Sequence, residues 1–200
     1  MISVEEALER ILGQVDILNE EERPILDCLG QVLADDVYSD IDIPPLDNSA
    51  MDGYAVQSRD TRGASRKSPR FLRVIDTVVT GSIPKLELEP GTAMRIMTGA
   101  PIPKGADSVV RFEDTDEAQR KGHPNETGIL VEVKPGKAIR RAGEDITRGS
   151  LVLNQGVTIR PPEVGVLASL GRSVVKVTRR PRVAILATGN ELVDITQPLP

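Results

Sequence analysis

The chain has 200 residues, 39% of them hydrophobic, with 25 basic against 30 acidic side chains and a formal net charge of -5. That is enough apolar material for a core in one large domain or two small ones, while the charge balance lacks the basic face of a nucleic-acid binder and aromatics at 2% lack the stacking platforms that single strands use. No apolar run reaches the roughly 18 residues of a membrane span, and the acidic start MISVEEALER is unlike a signal peptide, so neither nucleic acid nor membrane is expected and the expected compartment is the cytoplasm.

Ser3 precedes VEEALERILG with Glu6 three residues on, a capping box. Val4, Leu8, Ile11 and Leu12 then share one face, which predicts a short amphipathic helix that stops at Gly13 and needs a partner surface. A second helix is expected over Pro24 to Ala34, with Ile25, Leu29, Val32 and Leu33 inward and Pro24 early, where a missing N–H does no harm. The single Cys28 has no disulfide partner and is expected to pack as a small hydrophobe. The chain leaves this region through DDVYSDIDIPP, which reads as extended because residues before proline avoid the helical region.

From Val56 to Val133 the pattern changes to short apolar runs, FLRVIDTVV, AMRIMTG, DSVVRFED and GILVEVK, separated by turns such as EPG, GAPIPKG and KPG. This predicts a compact all-β unit, a small barrel or barrel-like sandwich. RDTRGASRKSPR and EDTDEAQRKGHPNETG read as surface loops within it, and the lone His123 as a solvated loop residue. After Ile139 come a strand and turn in GSLVLNQGVTI, a helix in RPPEVGVLASLG ended by Gly171, and another strand in SVVKVTRRP. RVAILATGNELV carries an uninterrupted apolar run into a glycine turn, the pattern of a strand buried on both faces of a parallel sheet. One βαβ unit takes about 30 residues, so the chain is expected to be the front part of a longer protein.

Polar groups concentrate at four turns. PPLDNSAMDGYAV gathers Asp47, Asn48, Ser49 and Asp52 around a bend freed by Gly53, and RIMTGAPIPKGAD delivers Thr98 into a Gly-Pro turn. AIRRAGEDITRG sets Arg140 and Arg141 before Glu144 and Asp145, and ATGNELV places Thr188, Asn190 and Glu191 beyond a strand end, where open α/β sheets bind ligands. Singly, each has a plain structural reading. The first could be a hairpin capped by its own side chains, the third a salt-bridged surface turn, and the glycines and lysine of TGAPIPKGAD stand in the wrong order for a phosphate loop.

Together, the order PP-x-DNSAMDGYAV, RIMTGAP-x-P-x-GAD, IR-x-x-GEDI, VGVLASLG and PRVAIL-x-TGNELV resembles the molybdopterin molybdenumtransferases, the MoeA family of molybdenum cofactor synthesis, which includes the related half of gephyrin. The resemblance runs from the first helix to the last residue. One departure is TGNEL where the family has TGDEL, so that Asn190 lacks a carboxylate while Glu191 is retained.

The resemblance implies insertion of molybdate into the dithiolene of adenylylated molybdopterin with release of AMP. Carried over position by position, it implies Asp52, Thr98, Asp145 and Glu191 as catalytic residues. Asn48, Ser49, Arg140, Arg141 and Thr188 become cofactor-binding residues, and Asp52 and Glu191 ligands of Mg²⁺. The chemistry is coherent, because bare carboxylates repel molybdate and phosphates whereas a carboxylate pair holding hydrated Mg²⁺ draws in a pyrophosphate link. The two arginines add charge for phosphate oxygens.

The implied fold class is mixed α and β, multi-domain, and homodimeric. Residues 1–15 would form an N-terminal helix packed on a downstream α/β domain, and residues 16–38 with 140–178 an elongated α/β dimerisation domain. Residues 39–139 would form a β-rich, barrel-like insertion, and 179–200 the first strand and loop of a truncated molybdopterin-binding α/β domain. The site would then lie between one subunit's β domain and the other's α/β domain, the fragment alone being inactive. A molybdopterin adenylyltransferase is the implied partner enzyme. The alternative from a different class is a non-catalytic dimerisation or scaffolding module of a gephyrin-like protein.

Overall fold

The computed structural model describes residues 2–119, 125–189 and 191–198. His123 and Asn190, singled out above, lie outside the described residues. The fold is mixed α and β, mostly sheet with few helices. In chain order its elements are α1 (Val4–Leu12), β1 (Glu20–Pro24), β2 (Val37–Tyr38), β3 (Asn48–Ser49), β4 (Gly53–Val56), β5 (Arg70–Val78), β6 (Thr92–Ile96), β7 (Ser108–Arg111), β8 (Glu126–Ile129), β9 (Ile139–Arg140), β10 (Leu151–Leu153), α2 (Pro161–Ser169) and β11 (Val174–Thr178). They fall into two compact units, one from Tyr38 to Val152 and one combining residues 1–37 with 153–200.

The central unit is built on a five-stranded sheet in the order β7-β4-β6-β5-β8. Only β5 and β6 run parallel, and β5 carries a register shift between Val74 and Asp76. The sequence GYAV of β4 shows why this central strand is buried on both faces: side chains alternate along a strand, and Tyr54, Ala55 and Val56 are all buried beside Gly53. Tyr54 and Val56 enter one core with Leu72, Ala93, Val110 and Ile129, while Ala55 enters the other with Val78, Met94, Ile96 and Val109. Gly53 is required by close approach, since a Cβ there would meet the Val110 carbonyl oxygen at 2.0 Å.

In the other unit, β1 and β11 pair antiparallel from Glu20↔Thr178 to Pro24↔Val174. Ile25, Cys28, Leu33, Ile159, Leu167 and Val177 are buried there. Cys28 packs as expected, its thiol donating a hydrogen bond to the Pro24 carbonyl at 3.1 Å. Ser3 caps α1 by accepting from the Glu6 N–H at 3.1 Å, and the helix ends at Gly13 as read. It buries none of its residues. α2 begins on its two prolines, with the Arg160 N–H donating to Glu163 at 2.9 Å.

Two expectations fail. The helix over Pro24 to Ala34 is instead a single 3₁₀ turn, Ile25–Asp27, followed by extended chain that bridges Val32 to Thr158 and Leu33 to Val177. Gly30 turns the backbone with φ +78°, and the exposure of Leu29 and Val32 shows that the apparent helical stripe was not the buried set. The run in RVAILATGNELV forms no strand over its described residues, and Val183, Ile185 and Leu186 are 76%, 90% and 86% exposed. A strand draws its hydrogen bonds and burial from neighbours, and no described strand pairs with it.

Candidate functional site

Three of the four polar turns meet at one place in the central unit. β3 pairs with β9, Asn48 opposite Arg140 and Ser49 opposite Ile139. The Ser49 N–H donates to the Ala100 carbonyl at 2.9 Å and the Ser49 carbonyl accepts from the Gly99 N–H at 2.8 Å. The backbone thus laces DNSAMDG to MTGAP on one side and to IRRAGED on the other. Ser49 itself is buried, its hydroxyl donating to the Met51 carbonyl, and so acts on the turn.

Asp52 sits where this turn enters β4. Its Oδ1 accepts both the N–H and the hydroxyl of Thr98, each at 2.7 Å. The backbone donor and then the hydroxyl hold its carboxyl below the usual range, so it is ionised at neutral pH. Oδ2 has no partner among the described residues. Gly99, with φ +78°, makes the turn that lets Thr98 present both donors.

The arginines are engaged. Arg140 donates to Asp145 at 2.5 Å and to Glu144 at 3.5 Å, while Arg141 pairs with Asp47. Asp47 also accepts the Ala142 N–H at 2.8 Å, which more than Arg141 keeps its carboxyl low. These are exposed pairs, which solvent and salt screen. Among the described residues no group of three or more His, Cys, Asp or Glu side chains is arranged to hold a metal. Thr188 and Glu191 belong to the other unit and are exposed.

Two polar arrangements escaped the sequence reading. Arg95 reaches Glu117 at 3.2 Å, and Glu117 accepts the Tyr54 hydroxyl at 2.7 Å. Burial, then that hydrogen bond, pushes Tyr54 up to about 12. Arg95 in turn adds its charge to the groups that favour ionised Asp52. The only sequence signal is alternation, which puts residues 52 and 54 on one face and 95 on that same face once Tyr54 is paired with Arg95. Asp107, the end of the GAD motif, caps the Ser58 turn through the Ser58 N–H and hydroxyl at 2.6 and 2.7 Å.

The family described as MoeA N-terminal region (domain I and II) matches residues 2–171. The chain belongs to this family. It is 42% identical over 176 residues to Molybdopterin molybdenumtransferase 2 of Mycobacterium tuberculosis (strain H37Rv), covering 88% of this chain and 42% of that one. It is 38% identical over 198 residues to the Molybdopterin molybdenumtransferase of Bacillus subtilis (strain 168), covering 99% and 46%. The crystal structure of the molybdopterin biosynthesis moeA protein from Pyrococcus horikoshii OT3 superposes with a TM-score of 0.85 at 37% identity, covering 96% of this chain and 50% of that one. The chain therefore spans about half the length of these relatives.

Proposed function

We propose that the whole protein inserts molybdate into adenylylated molybdopterin and releases AMP, and that this chain supplies the half of the site centred on Asp52. The observation that carries the reading is the fixed carboxylate: Thr98 holds one oxygen of Asp52, the other has no partner among the described residues, and the same turn meets the two arginines through the Asn48–Arg140 strand pairing and the Asp47–Arg141 ion pair. Such an arrangement suits anionic ligands brought in with a cation. The relatives named above are transferases, which does not favour the scaffolding alternative.

Asp52 fits Mg²⁺ as a single carboxylate ligand, since that ion keeps most of its waters and takes one or two protein carboxylates plus phosphate. Glu191 is proposed as the second ligand. Mg²⁺ held there would offset phosphate charge at the pyrophosphate link. Asp52 itself stays ionised and oriented by Thr98, Asp145 steers Arg140, and Arg140 and Arg141 exchange their carboxylates for substrate phosphate oxygens. Asn48 and Thr188 complete the proposed set of substrate contacts, with Ser49 holding the turn.

The proposed assembly is a homodimer whose central β-rich part, residues 39–139, is a barrel-like insertion. Residues 16–38 and 140–178 form the dimerisation domain, 1–15 dock on a downstream α/β domain, and 179–200 open that domain. No helix among the described residues is long and apolar enough to cross a membrane. A cytoplasmic location fits this, with a molybdopterin adenylyltransferase supplying the substrate.

The test is molybdate-dependent AMP release from adenylylated molybdopterin by the whole protein. The 200-residue chain alone is expected to release none. AMP release by the chain alone, or none by the whole protein, would overturn the reading.

A further inference from the structure

Asp52 is held from two neighbouring segments at once. Among the described residues only Thr98 hydrogen-bonds its carboxylate, and the Phe112 N–H donates to its carbonyl at 3.0 Å. Asp52 precedes β4 and Thr98 follows β6, so the hold on the carboxylate depends on how the start of one strand lies against the end of the other. The β4–β6 ladder stops at Gly53↔Ile96, which leaves both residues just beyond its last pair.

One side chain ties these two strands together on the face that Asp52 shares with Tyr54. Glu117 accepts the Tyr54 hydroxyl of β4 at 2.7 Å through one oxygen, and its other oxygen meets the Arg95 guanidinium of β6 at 3.2 Å. Tyr54 and Arg95 stand opposite each other in the register, so the carboxylate spans a cross-strand pair next to the end of the ladder. The loop that carries Glu117 is itself fixed. The Asp116 N–H donates to the Gly128 carbonyl at 2.9 Å, the Asp116 carboxylate accepts the Gly128 N–H at 2.6 Å, and the Thr115 hydroxyl donates to the Phe112 carbonyl at 2.8 Å. The segment from Phe112 to Glu117 thus holds the Asp52 backbone at one end and the Tyr54–Arg95 pair at the other.

Folding stability does not account for a charge at this place. Arg95 and Glu117 keep 39% and 30% of their side-chain surface in solvent, and ion pairs so exposed contribute little. Tyr54 is buried and needs an acceptor, but a neutral one would serve. What the charge of Glu117 adds is its hold on Arg95, and through Arg95 on β6.

We infer that Glu117 is a positioning residue for Asp52: acting through Tyr54 and Arg95, it fixes the end of the β4–β6 ladder at the spacing that lets Thr98 hold the carboxylate. The inference rests on the functional reading above, and Glu117 itself touches no substrate in it.

The test is Glu117→Gln in the whole protein, which keeps the shape and an acceptor for Tyr54 and removes the charge that holds Arg95. Its kcat for molybdate-dependent AMP release is expected to fall about tenfold with KM for adenylylated molybdopterin unchanged, since misplacing a reacting group costs rate. The melting temperature is expected to stay near the parent's. Hydrogen exchange at the Thr98 amide, followed by mass spectrometry of the peptide containing it, is expected to quicken about tenfold. Exchange at the Val109 amide, which bonds to Lys137 away from this pair, should not change. Arg95→Met should behave alike, and the double variant should lose no more than either single one, because both cut the same link. Unchanged kcat, a rise in KM alone, exchange quickened equally at Thr98 and Val109, or additive losses in the double variant would each overturn the inference. The two readings fail separately. A parent protein that releases no AMP sinks the functional reading, while the exchange comparison, which needs no turnover, still decides whether Glu117 holds Thr98 on Asp52. Parent AMP release with unaltered exchange in Glu117→Gln sinks the positioning role alone.

Discussion

Asp52 combines two jobs that a substitution can separate. As a cap it satisfies the Thr98 N–H; as an ionised group with a free oxygen it offers charge. Asp52→Asn keeps the shape and most of the hydrogen bonding, so thermal unfolding of the variant is expected to match the parent. AMP release by the whole protein is expected to fall by a factor on the order of 100, the scale for losing one positioned electrostatic group. A purely capping role would show the reverse, a lower unfolding temperature with activity spared. Gly53, next in the chain, admits no such swap. The Val110 carbonyl stands where a Cβ would be, so Gly53→Ala should destabilise the chain by about 3 kcal/mol, the top of the range for overpacking. A denaturant midpoint equal to the parent's would refute the close approach.

At the scale of elements, α2 shows how one side chain governs a helix start. Glu163 accepts from the Arg160 guanidinium at 2.7 Å and from the Arg160 N–H at 2.9 Å. The Arg160 side chain is the main reason its carboxyl falls from 4.5 to about 2. Because the folded value lies below the unfolded one, the carboxylate's stabilisation is fully present above about pH 4.5 and is lost as pH falls toward 2. Glu163→Gln is therefore expected to be less stable at neutral pH and to lose less melting temperature between pH 5 and pH 2. Parallel melting curves for the two proteins across that range would remove Glu163 from the account. α1 presents the opposite case, since its cap was readable and yet its apolar face, Val4, Leu8, Ile11 and Leu12, is exposed along its length. Helix formation is a local matter here, whereas burial of the face depends on a surface the helix does not itself provide.

For the whole molecule, the proposed site takes Asp52 from one subunit and Glu191 from the other. Mixing Asp52→Asn chains with Glu191→Gln chains of the whole protein should then restore activity, because one of the two sites in each mixed dimer receives both unaltered residues. Mass spectrometry would confirm the mixed dimers. If they form and remain inactive, the shared site is wrong, and a role for Asp52 within a single subunit remains the reading to test.

Signals that act over a few residues were legible without coordinates. Ser3 and Glu6 announced α1, two prolines and Gly171 bounded α2, and the ordered blocks around Asp52, Thr98 and Asp145 were enough to place the chain in its family. What depended on partners far away in sequence was not legible. Ile25 to Ala34 carries apolar spacing compatible with a helix, and the extended form won because Thr158 and Val177 offered bridges and Gly30 a left-handed turn. The run around Ile185 has the composition of a buried strand, but composition supplies no neighbours. Arg95 lies 43 positions from Asp52 by the numbering, and only the register of β4 on β6 sets both on one face, with Glu117 and Tyr54 beside them. A chain encodes its own backbone preferences residue by residue, whereas hydrogen bonds between strands and the burial of a face are properties of pairs, decided only when the pairs meet.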